Sequence, residues 1–296
     1  MGESGKVYSE YQWEHSEKED LQKSVMGARQ QWEVTDGLKV NVTGEYTSTD
    51  SDSNDDGHLA IAGGLSYVNP AGFKFITRDE IRQKTGDDEY TQFLTSNHIE
   101  FKLNPDFTAL GNFRYSKTID DDSDNTLADF TQVNVGLAFR PTGYDRFNAL
   151  AKYTWINQDG PGEIGQDETF IPETHVASVD WSLEITPWLE WVEKGAFKVN
   201  TEEVDDMPSQ TTRTILSLSR LNFDVWGGFG LGVEYRMLFQ LDADDNRQGW
   251  LTELMWEPVD HFRIGVGYNF TDFSDNEFSD NDYSSHGVFL RFQAMF

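Results

Sequence analysis

Apolar and polar side chains alternate with a period of two in sixteen stretches of this chain. The last is the clearest: Val288, Leu290, Phe292, Ala294 and Phe296 fall on one face of an extended segment, and Phe289, Arg291, Gln293 and Met295 on the other. Such alternation sets one face of a strand against an apolar medium and the other against water. It predicts strands over residues 6–14, 24–34, 39–47, 59–68, 73–82, 92–103, 107–116 and 130–140 in the first half. In the second half it predicts 146–156, 174–185, 189–199, 211–225, 229–241, 249–257, 262–271 and 286–296. Most are near the ~9–11 residues that a tilted strand needs to cross a bilayer.

The connections between these strands are alternately short and long. The short ones carry turn chemistry: Thr35-Asp36-Gly37, Asn69-Pro70-Ala71-Gly72, Asn104-Pro105-Asp106, Pro141-Thr142-Gly143, Thr186-Pro187, Gly227-Gly228 and Glu257-Pro258-Val259-Asp260. Glycine supplies positive φ there and proline fixes φ. The other eight are long and acidic, among them 48–58, 117–129, 157–173, 201–209 and 272–285, and together they hold nearly all of the net charge of -29. An even strand number, with both ends of the chain on the short-turn side, predicts one domain over residues 1–296: an all-β, 16-stranded antiparallel up-and-down transmembrane β-barrel. A soluble sandwich or propeller also has many short strands, but it does not explain loops sorted by parity.

Each strand divides into a lipid face and a lumen face. Phe147, Ala149, Ala151, Tyr153 and Trp155 oppose Asn148, Lys152 and Thr154; Ala177, Val179, Trp181, Leu183 and Ile185 oppose Ser178, Asp180, Ser182 and Glu184. The lumen set predicts a pore lining that includes Arg29, Lys74, Arg78, Glu100, Lys102, Arg114, Arg140, Lys152, Asp180, Glu184, Glu234, Arg236, Glu253, Arg263 and Arg291. Both signs are present, either as cross-strand ion pairs that brace the wall or as a transverse field across the lumen. Two strands sort poorly: Glu193 shares a face with Trp191 and Phe197, and Leu216 and Leu218 share one with Arg220. Aromatics cluster near the short turns, among them Tyr67, Phe73, Phe107, Phe139, Phe147, Trp188, Trp191, Phe229 and Trp256, as the inner girdle of a barrel requires.

Composition agrees with a wall that is wet inside and aromatic outside. Only 37% of residues are hydrophobic, yet 14% are Phe, Tyr or Trp; the mean hydropathy is -0.60. No run of about 18 apolar residues offers a membrane helix. The absence of cysteine removes disulfides and thiolate metal sites. The opening Met1-Gly2-Glu3-Ser4 has no export-signal character and is expected to be the new start of a mature or excised segment. The acidic balance argues against a nucleic-acid partner, because phosphate contacts need clustered Lys and Arg.

Motifs for chemistry are sparse. Asp52-Ser53-Asn54-Asp55-Asp56-Gly57 matches the first half of an EF-hand loop, but the twelfth position is Gly63, where a bidentate Glu is required. Asp120-Asp121-Asp122-Ser123-Asp124 and Asp280-Asn281-Asp282 offer oxygen ligands for loose Ca²⁺ or Mg²⁺ binding, though a solvated acidic loop explains them as well. The six histidines show no metal spacing, and no local triad or phosphate loop is present. No catalytic residue and no cofactor is expected.

From about Asp145 onward the residues Asp145-Arg146-Phe147-Asn148-Ala149-Leu150-Ala151-Lys152-Tyr153, Val192-Glu193-Lys194, Arg220-Leu221-Asn222-Phe223, Glu234-Tyr235-Arg236 and Gly249-Trp250-Leu251 form a recognisable series. It closes with Gly265-Val266-Gly267-Tyr268-Asn269-Phe270-Thr271-Asp272-Phe273 and Ser284-Ser285-His286-Gly287. This half resembles the C-terminal outer-membrane barrel domain of large repeat-containing bacterial envelope and surface proteins; the upstream repeats of that family are absent. The terminal Phe296, with Ala294, Phe292 and Leu290, resembles the signal read by the barrel-assembly machinery. The resemblance implies a Gram-negative outer membrane, with acidic loops outside, both termini periplasmic, and lipid, lipopolysaccharide and that machinery as partners. Two functions fit: a water-filled diffusion pore for small hydrophilic solutes that prefers cations, or a membrane anchor for surface display. The anchor's lumen would be occluded by packed side chains or by a loop such as 157–173 with Phe170, Ile171 and Pro172.

Overall fold

A strand with one apolar and one polar face satisfies its backbone only by pairing along its edges, and the alternating segments of this chain do so with their neighbours in sequence. A computed structural model describes residues 4–15, 20–51, 55–86, 89–161, 169–204, 208–243, 245–259, 262–274 and 283–294. Among these are sixteen strands and no helix. The first eight are β1 (Ser4–His15), β2 (Asp20–Thr35), β3 (Leu38–Ser51), β4 (Asp55–Asn69), β5 (Phe73–Thr85), β6 (Tyr90–Lys102), β7 (Phe107–Asp120) and β8 (Thr126–Phe139). The rest are β9 (Phe147–Pro161), β10 (Thr169–Thr186), β11 (Leu189–Val204), β12 (Gln210–Trp226), β13 (Phe229–Gln240), β14 (Asp245–Val259), β15 (Phe262–Ser274) and β16 (Tyr283–Ala294). They form one antiparallel sheet in sequence order, the up-and-down topology of a barrel.

The described ladders run from β1 to β16 and end at the outer edges of those two strands. Outward apolar side chains there are more open than those inside the sheet: Val7 is 85% and Phe292 67% exposed, against 38% for Leu231 and 40% for Phe93.

The register separates two faces without ambiguity. Paired residues share a face, so Lys74↔Glu100, Arg220↔Glu234 and Glu253↔Gly267 extend one polar surface around the sheet. The buried residues Ala62, Glu80, Thr118, Thr154, Glu234, Leu251, Glu253 and Met255 all fall on this face. Crowding confined to one face is the mark of a sheet curved around it. The opposite face carries Ile61, Phe93, Val135, Val179, Leu254 and Val266, all large, apolar and exposed.

The two strands that sort poorly in sequence do so in space as well. Glu193 pairs with Trp181 and Ser219 on the apolar face. It accepts hydrogen bonds there from the Trp191 indole at 3.2 Å and the Ser217 hydroxyl at 3.3 Å. Leu216 and Leu218 lie on the polar face, paired with Leu238 and Arg236. The outer face therefore carries the partnered carboxylate of Glu193, beside those of Asp129 and Glu173, which accept from Tyr115 and Trp155, and the Asp79 carboxylate on β5, while a leucine row lies inside.

Strand ends differ from the alternation. Residues 48–58, expected to be a loop, are largely ladder: β3 reaches Ser51 and β4 begins at Asp55, with Thr49↔Asp56 and Asp50↔Asp55 paired. Strands of 12 to 18 residues exceed what the bilayer requires. Backbone pairing continues into water at the acidic end, where both faces are polar and the period-two signal vanishes.

The short turns follow their chemistry. Gly37 and Gly72 adopt φ of 78° and 96°; the Asn104 side chain accepts from the amides of Asp106 and Phe107, both at 2.9 Å. Beside these turns the aromatics form a belt. Ring centroids run Phe107–Phe139 at 4.6 Å, Phe139–Phe147 at 5.9 Å, Phe147–Trp181 at 6.2 Å and Trp181–Trp191 at 4.5 Å. Their row across five strands fixes the level of one membrane interface.

Candidate functional site

The candidate site is the polar face itself. The register places Arg29, Lys74, Arg78, Glu100, Lys102, Arg114, Lys152, Asp180, Glu184, Glu234, Arg236, Glu253, Arg263 and Arg291 on it together; Arg140 lies just past the end of β8, its amide donating to the Asp106 carbonyl at 2.7 Å. Their surroundings differ. Glu234 and Glu253 are 5% and 1% exposed and brace the wall, rather than meeting water as most of the others do.

That brace is a network on β11 to β16 centred on Arg220. Its guanidinium donates to Asn222 Oδ1 at 2.7 Å, Glu234 Oε2 at 3.2 Å and Glu253 Oε2 at 2.8 Å. Asn222 in turn donates to Glu190 at 2.9 Å, Arg236 closes on the other oxygen of Glu234, and Arg291 approaches Glu253 Oε1 at 3.2 Å. Two glycines make room: a Cβ at Gly232 would lie 2.5 Å from an Arg220 nitrogen, and one at Gly265 would lie 2.6 Å from Glu253 Oε1. Gly265→Ala is accordingly expected to destabilise by about 1–3 kcal/mol, the cost of overpacking, measured as a lowered denaturation midpoint. An unchanged midpoint would mean that the carboxylate moves aside freely.

On β5 and β6 a second group forms. Glu80, between Arg78 and Arg82 on one face, binds both, with 2.7 Å to Arg78 and 2.5 Å to Arg82. Nearby, Glu100 accepts from Lys74 and meets His98 Nε2, each at 2.8 Å or less.

The signs are not evenly shared. On β5 to β9 the polar face carries Lys74, Arg78, Arg82, Lys84, Lys102, Arg114 and Lys152, with Arg140 just past the end of β8; among the described strand residues its carboxylates are Glu80, Glu100 and, at the end of β7, Asp120. On β10 to β14 carboxylates predominate, with Asp180, Glu184, Glu190, Glu202, Asp224, Glu234, Asp245, Glu253 and Glu257 facing Lys194, Lys198, Arg220, Arg236 and Arg247. The wall thus has a positive sector beside a negative one.

At the acidic end the Asp120 carboxylate caps its own turn. It accepts from the Ser123 hydroxyl at 2.8 Å, the Ser123 amide at 2.7 Å and the Asp122 amide at 3.1 Å. The Ser123 hydroxyl, then its amide, holds this carboxyl below the usual range. Among the described residues no group of three or more His, Asp or Glu gathers for a metal ion. Asp280, Asn281 and Asp282 lie outside the described residues, as do Asp52 to Asn54.

Of the residues expected to form an assembly signal, Leu290, Phe292 and Ala294 line the outer face of β16, and Phe296 lies outside the described residues. The centre of loop 157–173, residues 162–168, lies outside them too. Arg220 and Glu80 anchor the two networks. The signal of the Glu80 group was present in sequence as Arg-x-Glu-x-Arg at 78–82, where all three side chains share a strand face.

A single up-and-down sheet, apolar outside and charged on its crowded face, is the fold of an outer-membrane β-barrel. Comparison with solved structures agrees. The ferric-catecholate import receptor Fiu of E. coli K12 is similar over 99% of this chain and 62% of its own, with a TM-score of 0.69 and 8% identity. The alcaligin receptor FauA of Bordetella pertussis is similar over 99% and 58%, with a TM-score of 0.65 and 10% identity. The outer-membrane channel DcaP of Acinetobacter baumannii is similar over 90% and 99%, with a TM-score of 0.54 and 10% identity. The chain thus spans about three fifths of the receptors it matches. No protein-family model matches the sequence, and no curated protein does.

Proposed function

We propose that this chain is a bacterial outer-membrane barrel that forms a water-filled diffusion pore for small hydrophilic solutes, with an acidic outer mouth that favours cations. The observation that carries this is the polar face, set with charges of both signs, on the concave side of the sixteen-stranded sheet, opposite a largely apolar face. Sixteen strands leave an aqueous channel unless something fills it. A mouth lined by one sign of charge raises the local concentration of the opposite ion. Lipid and lipopolysaccharide surround it, the barrel-assembly machinery reads β16, and both termini lie on the periplasmic side with the short turns. Similarity in fold to receptors and a channel supports transport rather than catalysis.

The reading requires the outer edges of β1 and β16 to meet, since an unpaired edge is costly in lipid. Refolded protein in a planar bilayer under a KCl gradient is expected to show discrete steps and a reversal potential on the cation side, weakening at high salt. Absence of current, or anion preference, overturns it. The inward row of Leu216, Leu218 and Leu238 favours a second reading. It offers a plug a dry surface, as an anchor barrel with an occluded lumen would need, and a silent bilayer would support that alternative.

A further inference from the structure

We propose that a hollow in the inner wall between β5 and β8 binds an oxyanion carried on a small apolar body. The hollow, about 270 Å³, is lined by Arg78, Arg82 and Arg114, with Glu80, Ser96 and Ser116 among them and Leu94 and Phe130 as its apolar part. Glu80 is 7% exposed and fixes two of the arginines without consuming them. Arg78 gives it Nε and one terminal nitrogen, at 3.1 and 2.7 Å, and Arg82 gives it Nε alone. Both side chains stay about half exposed, at 50% and 51%.

Arg114 stands two strands away. It pairs with Ser96, which pairs with Arg78, so the two arginines flank one serine on a single row. Among the described residues Arg114 has no carboxylate partner. The Glu45 carboxylate, on β3, is engaged by the Tyr8 hydroxyl at 2.5 Å. Three guanidiniums and one carboxylate line the hollow, a net positive surface in a chain of net -29.

A planar guanidinium fork matches a carboxylate or phosphoryl group in bidentate fashion. Leu94 and Phe130 then add an apolar surface where a bare inorganic ion has nothing to bury. The wall would therefore hold anionic solutes that the acidic mouth only screens, with the mouth setting access and this hollow setting residence. The site rests on a lumen open to solutes, but its occupancy does not depend on conduction.

Isothermal titration of the refolded full chain in detergent and low salt, with sodium benzoate and sodium acetate as probes, tests the site without a bilayer. Benzoate is expected to bind saturably, one per chain, and more tightly than acetate. Arg114→Gln is expected to weaken it by about tenfold, the loss of one charge-assisted contact. Lys198→Gln, on β11, should leave it unchanged. Ser96→Asp places a carboxylate between the arginines and should abolish binding even if Arg114→Gln fails to fold. No saturable benzoate binding, equal affinity for acetate, or full affinity in Ser96→Asp overturns the proposal. Binding without KCl current would instead overturn the pore and keep the site.

Discussion

Arg220→Ala is expected to destabilise the folded barrel by about 3–5 kcal/mol, the cost of removing one partner from a buried ion pair. The substitution strips Glu234 of its 3.2 Å partner and Glu253 of its 2.8 Å partner at once. Arg236 and Arg291 remain beside them, and both are far more open to water than Arg220. Those survivors moderate the loss without cancelling it, because the Glu253 side chain has no exposed surface through which to rehydrate. Denaturant titration of vesicle-refolded protein, followed by tryptophan fluorescence, reads the shift. Replacing Arg220, Glu234 and Glu253 together by apolar residues of similar volume should recover much of the stability, since an uncharged wall has no desolvation cost. A single-variant loss below about 1 kcal/mol would show that water reaches the network and that the pairs behave as surface ones.

Sheet order and face assignment were legible in the sequence because both depend on local quantities. Period-two alternation names the face of every residue in a strand, and Gly, Pro, Asn and Asp mark the turns. Even the irregular cases survived: Glu193 beside Trp191, and Leu216 beside Arg220, are as placed by parity. Strand length was not legible, because alternation fades once both faces of a ladder such as Asp50↔Asp55 enter water. The Arg220 network was not legible either. It depends on which distant strands approach closely and on the missing Cβ atoms of Gly232 and Gly265, neither of which a strand pattern encodes. The polarity of the wall was hidden for another reason: parity alone shows that both signs face inward, and only the register reveals that a positive β5–β9 lies beside a negative β10–β14.

Val179→Arg is expected to cost about 1–3 kcal/mol, between the ~2–4 kcal/mol penalty for a lipid-facing arginine at the midplane and the ~0–1 kcal/mol near an interface, whereas Ser178→Arg one residue earlier should cost far less. Val179 lies two residues from Trp181, on the bilayer side of the aromatic belt, pairs with Ala151 and Gly195, and is 47% exposed on the apolar face. Neither partner offers a hydrogen bond, so a guanidinium there must snorkel past the belt or draw water into the wall. Ser178 points to the opposite face, between Lys152 and Ala196, and shares it with the Asp180 carboxylate. An added arginine meets a partner and solvent there. The two substitutions introduce the same charge at nearly the same height, so their difference isolates the medium on each side of the wall. Unfolding of both variants from phosphatidylcholine vesicles measures it. Equal costs would mean that both faces meet the same solvent, and the charged surface that the pore and the oxyanion hollow both require would lose its distinction from the apolar one.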